Sequence, residues 1–162
     1  MRVALDAGPL LDPPTGVGRY VRELGAALER RGIEVRRFAA SLRGSDSSGI
    51  ARLRVPARVL HRMWLVAERP ALDRLVGDVD VVHGTNFVMP LVRRAPGVVT
   101  IHDLSFFHDY AFPGRKGWTR MVPWSVRRAA KVIVPTEAVA TEVAERFDLA
   151  RERIAVTHEG AL

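Results

Sequence analysis

An apolar segment rich in β-branched residues, Val98–Asp103, lies in the middle of the chain, after Pro96-Gly97, and ends in His102 and Asp103. A short apolar run that is bounded by turn residues and ends in polar groups is typical of a buried parallel strand. Ligands of open α/β sheets bind beyond the carboxyl ends of the strands, so His102 and Asp103 are candidate substrate contacts. The alternative stays open: His102 bonds nearby backbone, and Asp103 caps the next turn.

Further segments have the composition of buried strands, and helical periodicity fills most of the gaps between them. The predicted strands are Arg2–Ala7, Ile33–Ala39, Asp80–His83, Lys131–Val134 and Arg153–Thr157. The predicted helices are 15–31, ended by Gly32; 56–76, with a possible break at Pro70; 115–130; and one that begins at Pro135-Thr136, with Thr136 as N-cap. This alternation predicts one α/β domain over residues 1–162, with a parallel sheet and helices on both faces. The polar stretch Ser41–Gly49 is the best candidate for disorder.

Composition excludes some classes of site. The chain of 162 residues has no cysteine, so it has neither disulfides nor a thiolate metal site. The first residues reach Asp6 too early for a signal peptide, and no apolar run has the length of a membrane span, so a cytoplasmic protein is expected. A net charge of +7 is compatible with phosphorylated ligands, anionic lipid or nucleic acid.

A glycine turn opens the first predicted helix at Thr15–Tyr20. Unblocked backbone N–H groups at a helix N-terminus attract phosphate. The spacing is Gly16-x-Gly18-x-x-Val21, which lacks the third glycine of the dinucleotide fingerprint, and the chain has no Gly-Lys-Ser/Thr of a Walker loop. A turn that only lets the helix begin is therefore as compatible with these residues as a phosphate cradle.

Five segments, taken together and in this order, resemble the N-terminal domain of a group 1 glycosyltransferase, one of the retaining family 4 enzymes with the GT-B fold. They are Thr15–Tyr20, Asp80–Phe87, Val99–Leu104, Arg127–Thr136 and Arg153–Gly160. The resemblance implies a Rossmann-like domain that forms the acceptor-side half of a two-domain enzyme. The implied reaction moves a sugar from a nucleotide-sugar donor to a hydroxyl of a sugar, lipid-linked or small-molecule acceptor, with retention.

The resemblance also implies roles for individual residues. Gly16, Val17 and Gly18 would approach the donor diphosphate, and His102, with Asp103 beside it, would be catalytic and contact the donor sugar. The implied acceptor-binding residues are Arg19, Tyr20, His83, Asn86, Phe87 and Phe106. Thr136 would lie at the cleft. No metal or other cofactor is expected.

The donor-binding half of the family, with its pair of glutamates, is not present in this sequence. We therefore expect the isolated chain to be inactive and to require that missing C-terminal domain as a partner. A stand-alone Rossmann-like module that binds a phosphorylated ligand is the alternative. Nucleic-acid binding rests only on the charge, and no recognised binding motif supports it.

Basic residues and tryptophans also suggest contact with the inner face of a membrane. Arg54, Arg58 and Arg62 are spaced by four residues, and the 115–128 region is basic; Trp64, Trp118 and Trp124 lie among them. A basic, Trp-bearing amphipathic helix lies on anionic lipid in many proteins. A solvated face of a helix packed on the core is the alternative.

Overall fold

Seven strands form one all-parallel sheet in the computed structural model, which describes residues 1–11, 13–42 and 49–160. The strands are β1 Arg2–Asp6, β2 Glu34–Ala40, β3 Ala51–Leu53, β4 Val81–Gly84, β5 Gly97–Thr100, β6 Lys131–Val134 and β7 Ile154–Val156. Their order across the sheet is β3-β2-β1-β4-β5-β6-β7. The chain thus adds β2 and β3 on one side of β1. It then crosses to the other side of β1, where β4 to β7 follow in order.

Helices cover both faces of this sheet. They are α1 Gly16–Arg30, α2 Ala57–Ala67, α3 Asp73–Val76, α4 Ser105–His108, α5 Arg115–Arg128 and α6 Glu137–Phe147. Gly25 of α1 faces Leu5 on one face of the sheet. On the other face, Ala4 and Val82 belong to an apolar cluster with Leu60 of α2 and Met121 of α5. The predicted fold class, an α/β domain with a Rossmann-like parallel sheet, is confirmed.

The differences from the sequence prediction concern short elements. The strand β3 was not predicted, since it has only three residues and none is fully buried. The predicted helix 56–76 is divided, because α2 ends at Glu68 in the left-handed conformation and α3 begins at Asp73. The single helical turn α4 follows Asp103 directly. Residues 43–48 of the predicted disordered loop lie outside the described residues.

The predicted caps are present where the sequence placed them. Thr136 accepts a hydrogen bond from the Val139 backbone N–H at 3.2 Å and so begins α6. Gly32 has φ +74° just after α1, a conformation that glycine adopts without a steric penalty.

One of the three tryptophans is buried, and the other two are partly buried against the apolar clusters. Trp64 of α2 is 2% exposed. Its ring stacks on that of Trp124 of α5, with centroids 6.0 Å apart and planes 6° from parallel. The stacked pair thereby joins α2 to α5, and the buried ring of Trp64 is not available to lipid. No helix in the described part of the chain has the length and apolar character needed to cross a membrane.

Candidate functional site

The strand order creates a crevice between β1 and β4. From β1 the chain proceeds to β2 and β3 on one side, and β4 then pairs with the opposite edge of β1, with Leu5 beside His83. Ligands of open α/β sheets bind at such a switch point, beyond the carboxyl ends of the strands. Asp6 ends β1 here, and Thr85-Asn86 follow β4.

The first turn of α1 lies at this edge. Thr15 is its N-cap, and the Oγ1 atom accepts a hydrogen bond from Gly18 N at 3.1 Å. The Arg19 backbone N–H donates to Thr15 O at 3.0 Å. The Gly16 and Val17 N–H groups have no acceptor among the described residues, so these two donors, rather than that of Gly18, are available to an anion.

The two glycines of this turn have different surroundings. A Cβ atom at Gly16 would meet no heavy atom within 4 Å, whereas one at Gly18 would lie 3.0 Å from the carbonyl oxygen of Pro9. Gly18 therefore allows α1 to pack on the preceding loop. Gly16 leaves open space in front of the helix.

His102 lies across the crevice and is held at both ring nitrogens. Nε2 lies 2.9 Å from the carbonyl oxygen of Thr85, and Nδ1 lies 2.7 Å from Glu159 Oε1. The rings of Tyr20 and Phe87 approach it edge to face, with centroids at 5.1 and 5.7 Å. The structure thus brings His102 next to the first turn of α1 through Tyr20.

Asp103 does not contact His102 in this arrangement. Its carboxylate accepts a hydrogen bond from the Ser105 backbone N–H at 2.8 Å and so begins the turn of α4. The carboxylate paired with His102 is that of Glu159, 57 residues later. Glu159 lies within the segment Arg153–Gly160, but no local sequence pattern signals its contact with a residue so far away.

A buried hydrogen-bond chain supports Tyr20. The Tyr20 hydroxyl lies 3.0 Å from Thr100 Oγ1, which in turn lies 2.8 Å from His83 Nε2. His83 is 5% exposed. Burial, together with the nearby charge of His102, lowers the pKa of His83 to about 4. The ring is therefore neutral at pH 7 and buried against Thr100, and the acceptor-binding role of His83 stays a prediction.

Burial also raises the pKa of Tyr20; the Thr100 hydrogen bond opposes the shift, and the negative charge of Glu159 adds to it. The Tyr20 hydroxyl is therefore protonated throughout the physiological range. It can donate or accept within the chain to Thr100.

Aromatic side chains form one wall of the crevice. Phe87 has φ +62°, a strained conformation for a residue other than glycine, and contacts both Phe106 and Trp118, with centroids at 5.6 and 5.5 Å. Phe106 is 1% exposed, so it supports Phe87 from below. Phe87 is half-buried and is the member of the pair that a ligand can reach.

Gly84 allows the sharp turn that carries Phe87. A Cβ atom at Gly84 would lie 1.9 Å from the carbonyl oxygen of Val88, so only glycine fits there. The turn is also held by the Phe87 backbone N–H, which donates to Thr100 O at 3.0 Å.

Two polar groups at the switch point have unusual surroundings. Burial raises the pKa of Asp6 to about 6, although the Gly8 backbone N–H, 2.9 Å from Oδ1, opposes the shift. The Asn86 Oδ1 atom is buried and has no hydrogen-bond partner among the residues that the structure describes. A perturbed carboxyl group and an unsatisfied amide at one edge are typical of a ligand site. Asp6 was not among the predicted site residues, although its place at a strand end was a usable signal.

Two further predicted residues, Arg19 and Thr136, lie at the N-terminal ends of α1 and α6. Arg19 is exposed, and its guanidinium forms no hydrogen bond or ion pair with a described residue. Thr136 begins α6 after β6, two strands from β4. Within residues 1–11, 13–42 and 49–160, no three His, Asp or Glu side chains are grouped as a metal site would require.

Comparison with known proteins gives one family and one fold. The sequence model of Glycosyltransferase Family 4 matches residues 14–161. No curated protein sequence matches the chain. Among solved structures, the chain is similar to an alpha-glucosyltransferase in complex with UDP-glucose and DNA containing an abasic site, with a TM-score of 0.54 and 17% identity. The match covers 97% of this chain and 41% of that one, so this chain spans about two fifths of its length.

Proposed function

Because this chain belongs to glycosyltransferase family 4, we propose that it is the acceptor-side domain of an enzyme that transfers a sugar from a nucleotide-sugar donor to a hydroxyl acceptor, with retention. One observation carries this proposal beyond the family. Tyr20 of α1 and Phe87 of the turn after β4 both pack on the His102 ring, and the Gly16 and Val17 N–H groups of the same helix have no acceptor among the described residues.

Sugar transfer needs stabilisation of the departing diphosphate and of a positively charged anomeric centre. The Gly16 and Val17 N–H groups, at the positive end of α1, suit the diphosphate. The exposed Arg19 guanidinium adds a positive charge one turn away. These groups need no metal for the task assigned to them, and a nucleotide sugar enters as a substrate.

The acceptor would lie against Phe87 and Tyr20. Apolar faces of sugar rings pack on aromatic side chains, and the unsatisfied Oδ1 of Asn86 would accept a hydrogen bond from an acceptor hydroxyl. His102 and Asp103 remain the predicted catalytic residues. A second domain, outside these 162 residues, would hold the nucleotide, and this domain alone would transfer no sugar.

Two substitutions of Gly16 distinguish a phosphate-binding role of its backbone N–H group from a purely structural role of the glycine. Gly16→Pro removes one N–H at the first helical position, where proline is tolerated after the extended Thr15, whereas Gly16→Ala keeps the N–H. We expect Gly16→Pro in the full-length protein to raise the KM for the nucleotide sugar by about tenfold, the factor for one hydrogen bond to a charged group. Gly16→Ala should change it little.

The measurement is initial-rate transfer to a hydroxyl acceptor, with the anomeric configuration of the product read by NMR. Inversion at the anomeric carbon would refute retention, and equal KM values for Gly16→Pro and Gly16→Ala would refute the phosphate role. Sugar transfer by the 162-residue chain alone would refute the need for a second domain. Tight binding of a phosphorylated ligand without transfer by the full-length protein would favour the binding-module alternative.

We also propose that α2 touches anionic lipid, through a smaller surface than the tryptophans suggested. Val59, Met63 and Val66 are exposed on α2, and the side chains of Arg58 and Arg62 beside them form no hydrogen bond or ion pair with a described residue. Apolar side chains flanked by unpaired arginines suit the surface of an anionic bilayer.

A further inference from the structure

The two hydrogen-bond partners of His102 lie in segments that differ in burial. Thr85 belongs to the turn after β4 and is fully buried, and its Oγ1 atom donates to the carbonyl oxygen of Asp6 at 2.7 Å. Glu159 belongs to the segment after β7. The side chain of His102 is 11% exposed and that of Glu159 is 40% exposed. One partner of the ring is thus fixed in the sheet, and the other comes from a solvent-facing segment.

Both partners of the ring are acceptors. The carbonyl oxygen of Thr85 can only accept, so Nε2 carries a proton. An ionised carboxylate also only accepts, so a bond from Nδ1 to Glu159 requires a proton on Nδ1 as well. Both hydrogen bonds therefore form at the same time only when each nitrogen of the imidazole carries a proton.

We infer that Glu159 is a positioning residue, which fixes the ring of His102 as a double donor at the floor of the crevice. This inference rests on the proposed function only for its consequence: a ring with both nitrogens protonated contributes positive charge and N–H donors to the site, and it does not act as a general base. A ligand oxygen reaches Nδ1 only when it replaces Glu159.

The surroundings of the ring agree with this role. Tyr20, which packs edge to face on His102, and His83, whose pKa the charge of His102 helps to lower, are both uncharged at pH 7. Phe87 packs on the ring as well. Among the described residues, the carboxylate of Glu159 is the one negatively charged group that is hydrogen-bonded to the ring.

The chain holds a matched control pair. His108 Nε2 lies 2.7 Å from Glu142 Oε1, the same separation as in the His102 pair, but the His108 side chain is 62% exposed. Glu142→Gln thus makes the same chemical change at an exposed pair on the surface.

The experiment reads the ring protons directly. In ¹⁵N-labelled chain at pH 6.5, ring ¹H–¹⁵N correlations of His102 should show both an Nδ1–H and an Nε2–H signal. In Glu159→Gln, whose amide can donate to the ring, we expect the Nδ1–H signal to disappear or its exchange with water to accelerate at least about tenfold, while the Nε2–H signal stays. Glu142→Gln should change only the His108 signals.

Two results would overturn the inference: an Nδ1 atom of His102 without a proton in the unmodified chain, or an Nδ1–H signal that Glu159→Gln leaves unchanged. Glu159 is exposed and near the end of the chain, so the variant is expected to fold, and unchanged backbone amide shifts in β4 and β5 verify this. None of these readouts needs sugar transfer. A full-length protein that transfers no sugar would therefore refute the proposed function and leave the role of Glu159 standing.

Discussion

Acidification should destabilise this domain through His83. Burial holds the pKa of His83 at about 4, below the ordinary value of 6.5 for an unfolded chain. Between these values the unfolded chain binds a proton that the folded chain does not, so the stability from neutral His83 is complete above pH 6.5 and is lost as the pH falls towards 4. We integrate the difference in bound protons between the unfolded and the folded state from pH 7 to pH 5. The free energy of unfolding then falls by about 2 kcal/mol because of this residue.

The variant His83→Gln isolates this effect, because glutamine places a neutral amide near the position of Nε2 and keeps a partner for Thr100 Oγ1. Urea unfolding followed by circular dichroism at pH 7 and pH 5 gives the free energy of unfolding of each protein. We expect His83→Gln to be less stable than the unmodified chain at pH 7 but to lose about 2 kcal/mol less on going to pH 5. His61 and Asp6 titrate in both proteins, so their contributions cancel in this comparison.

His108→Gln is the control, since His108 is exposed and its removal should leave the pH dependence unchanged. A folded His83→Gln variant that loses as much stability between pH 7 and pH 5 as the unmodified chain would refute the reasoning. It would mean that His83 accepts a proton within the folded state at little cost.

Three further predictions concern the edge of the sheet and α2. Asp6→Asn should raise the free energy of unfolding at pH 7 by about 1–3 kcal/mol and give little gain near pH 4, because the raised pKa of Asp6 means that burial of its charged form opposes folding above pH 6. Urea unfolding at both pH values measures this, and an equal gain at both would contradict it. Phe87→Ala should raise the KM for the acceptor in the full-length enzyme more than the KM for the nucleotide sugar, because the exposed face of Phe87 lines the acceptor side. Phe112→Ala, which removes another ring packed on Phe106, is the comparison. Equal effects of Phe87→Ala on both KM values would count against an acceptor-binding role of Phe87. Arg58→Glu combined with Arg62→Glu should lower cosedimentation with anionic vesicles at low salt at least about tenfold, whereas the same change at Arg30 and Arg31, on the opposite face, should not; unchanged cosedimentation would leave α2 without a lipid contact.

The sheet was predictable where buried apolar runs end in polar residues. β4 and β5 have this form, so the position of Asn86, Phe87 and His102 just beyond the carboxyl ends of these strands could be predicted from the sequence. β3 could not, because its three residues at the edge of the sheet leave no periodic signal.

The electrostatics of the site could not be predicted, because they depend on contacts between distant segments. His102 and Asp103 are adjacent in the sequence, which suggested that they act as a pair. The Asp103 carboxylate instead accepts a hydrogen bond from Ser105, and the carboxylate next to His102 is that of Glu159. His83 looks like another strand-end histidine, and only the three-dimensional packing shows that Thr100 holds it beneath Tyr20. Asp6 likewise acquires its raised pKa from burial that no local pattern reveals.

The position of β1 between β2 and β4 has a consequence for synthesis on the ribosome. β1 pairs with β2 after about thirty residues, but its other edge stays bare until Val81–Gly84 has been translated and released from the exit tunnel. Until then the nascent chain carries a hydrophobic strand, Arg2–Asp6, with unpaired backbone groups on one side, which is a template for aggregation. Nascent chains that stop before β4 should therefore bind chaperones, and those that extend past Gly84 should begin to release them.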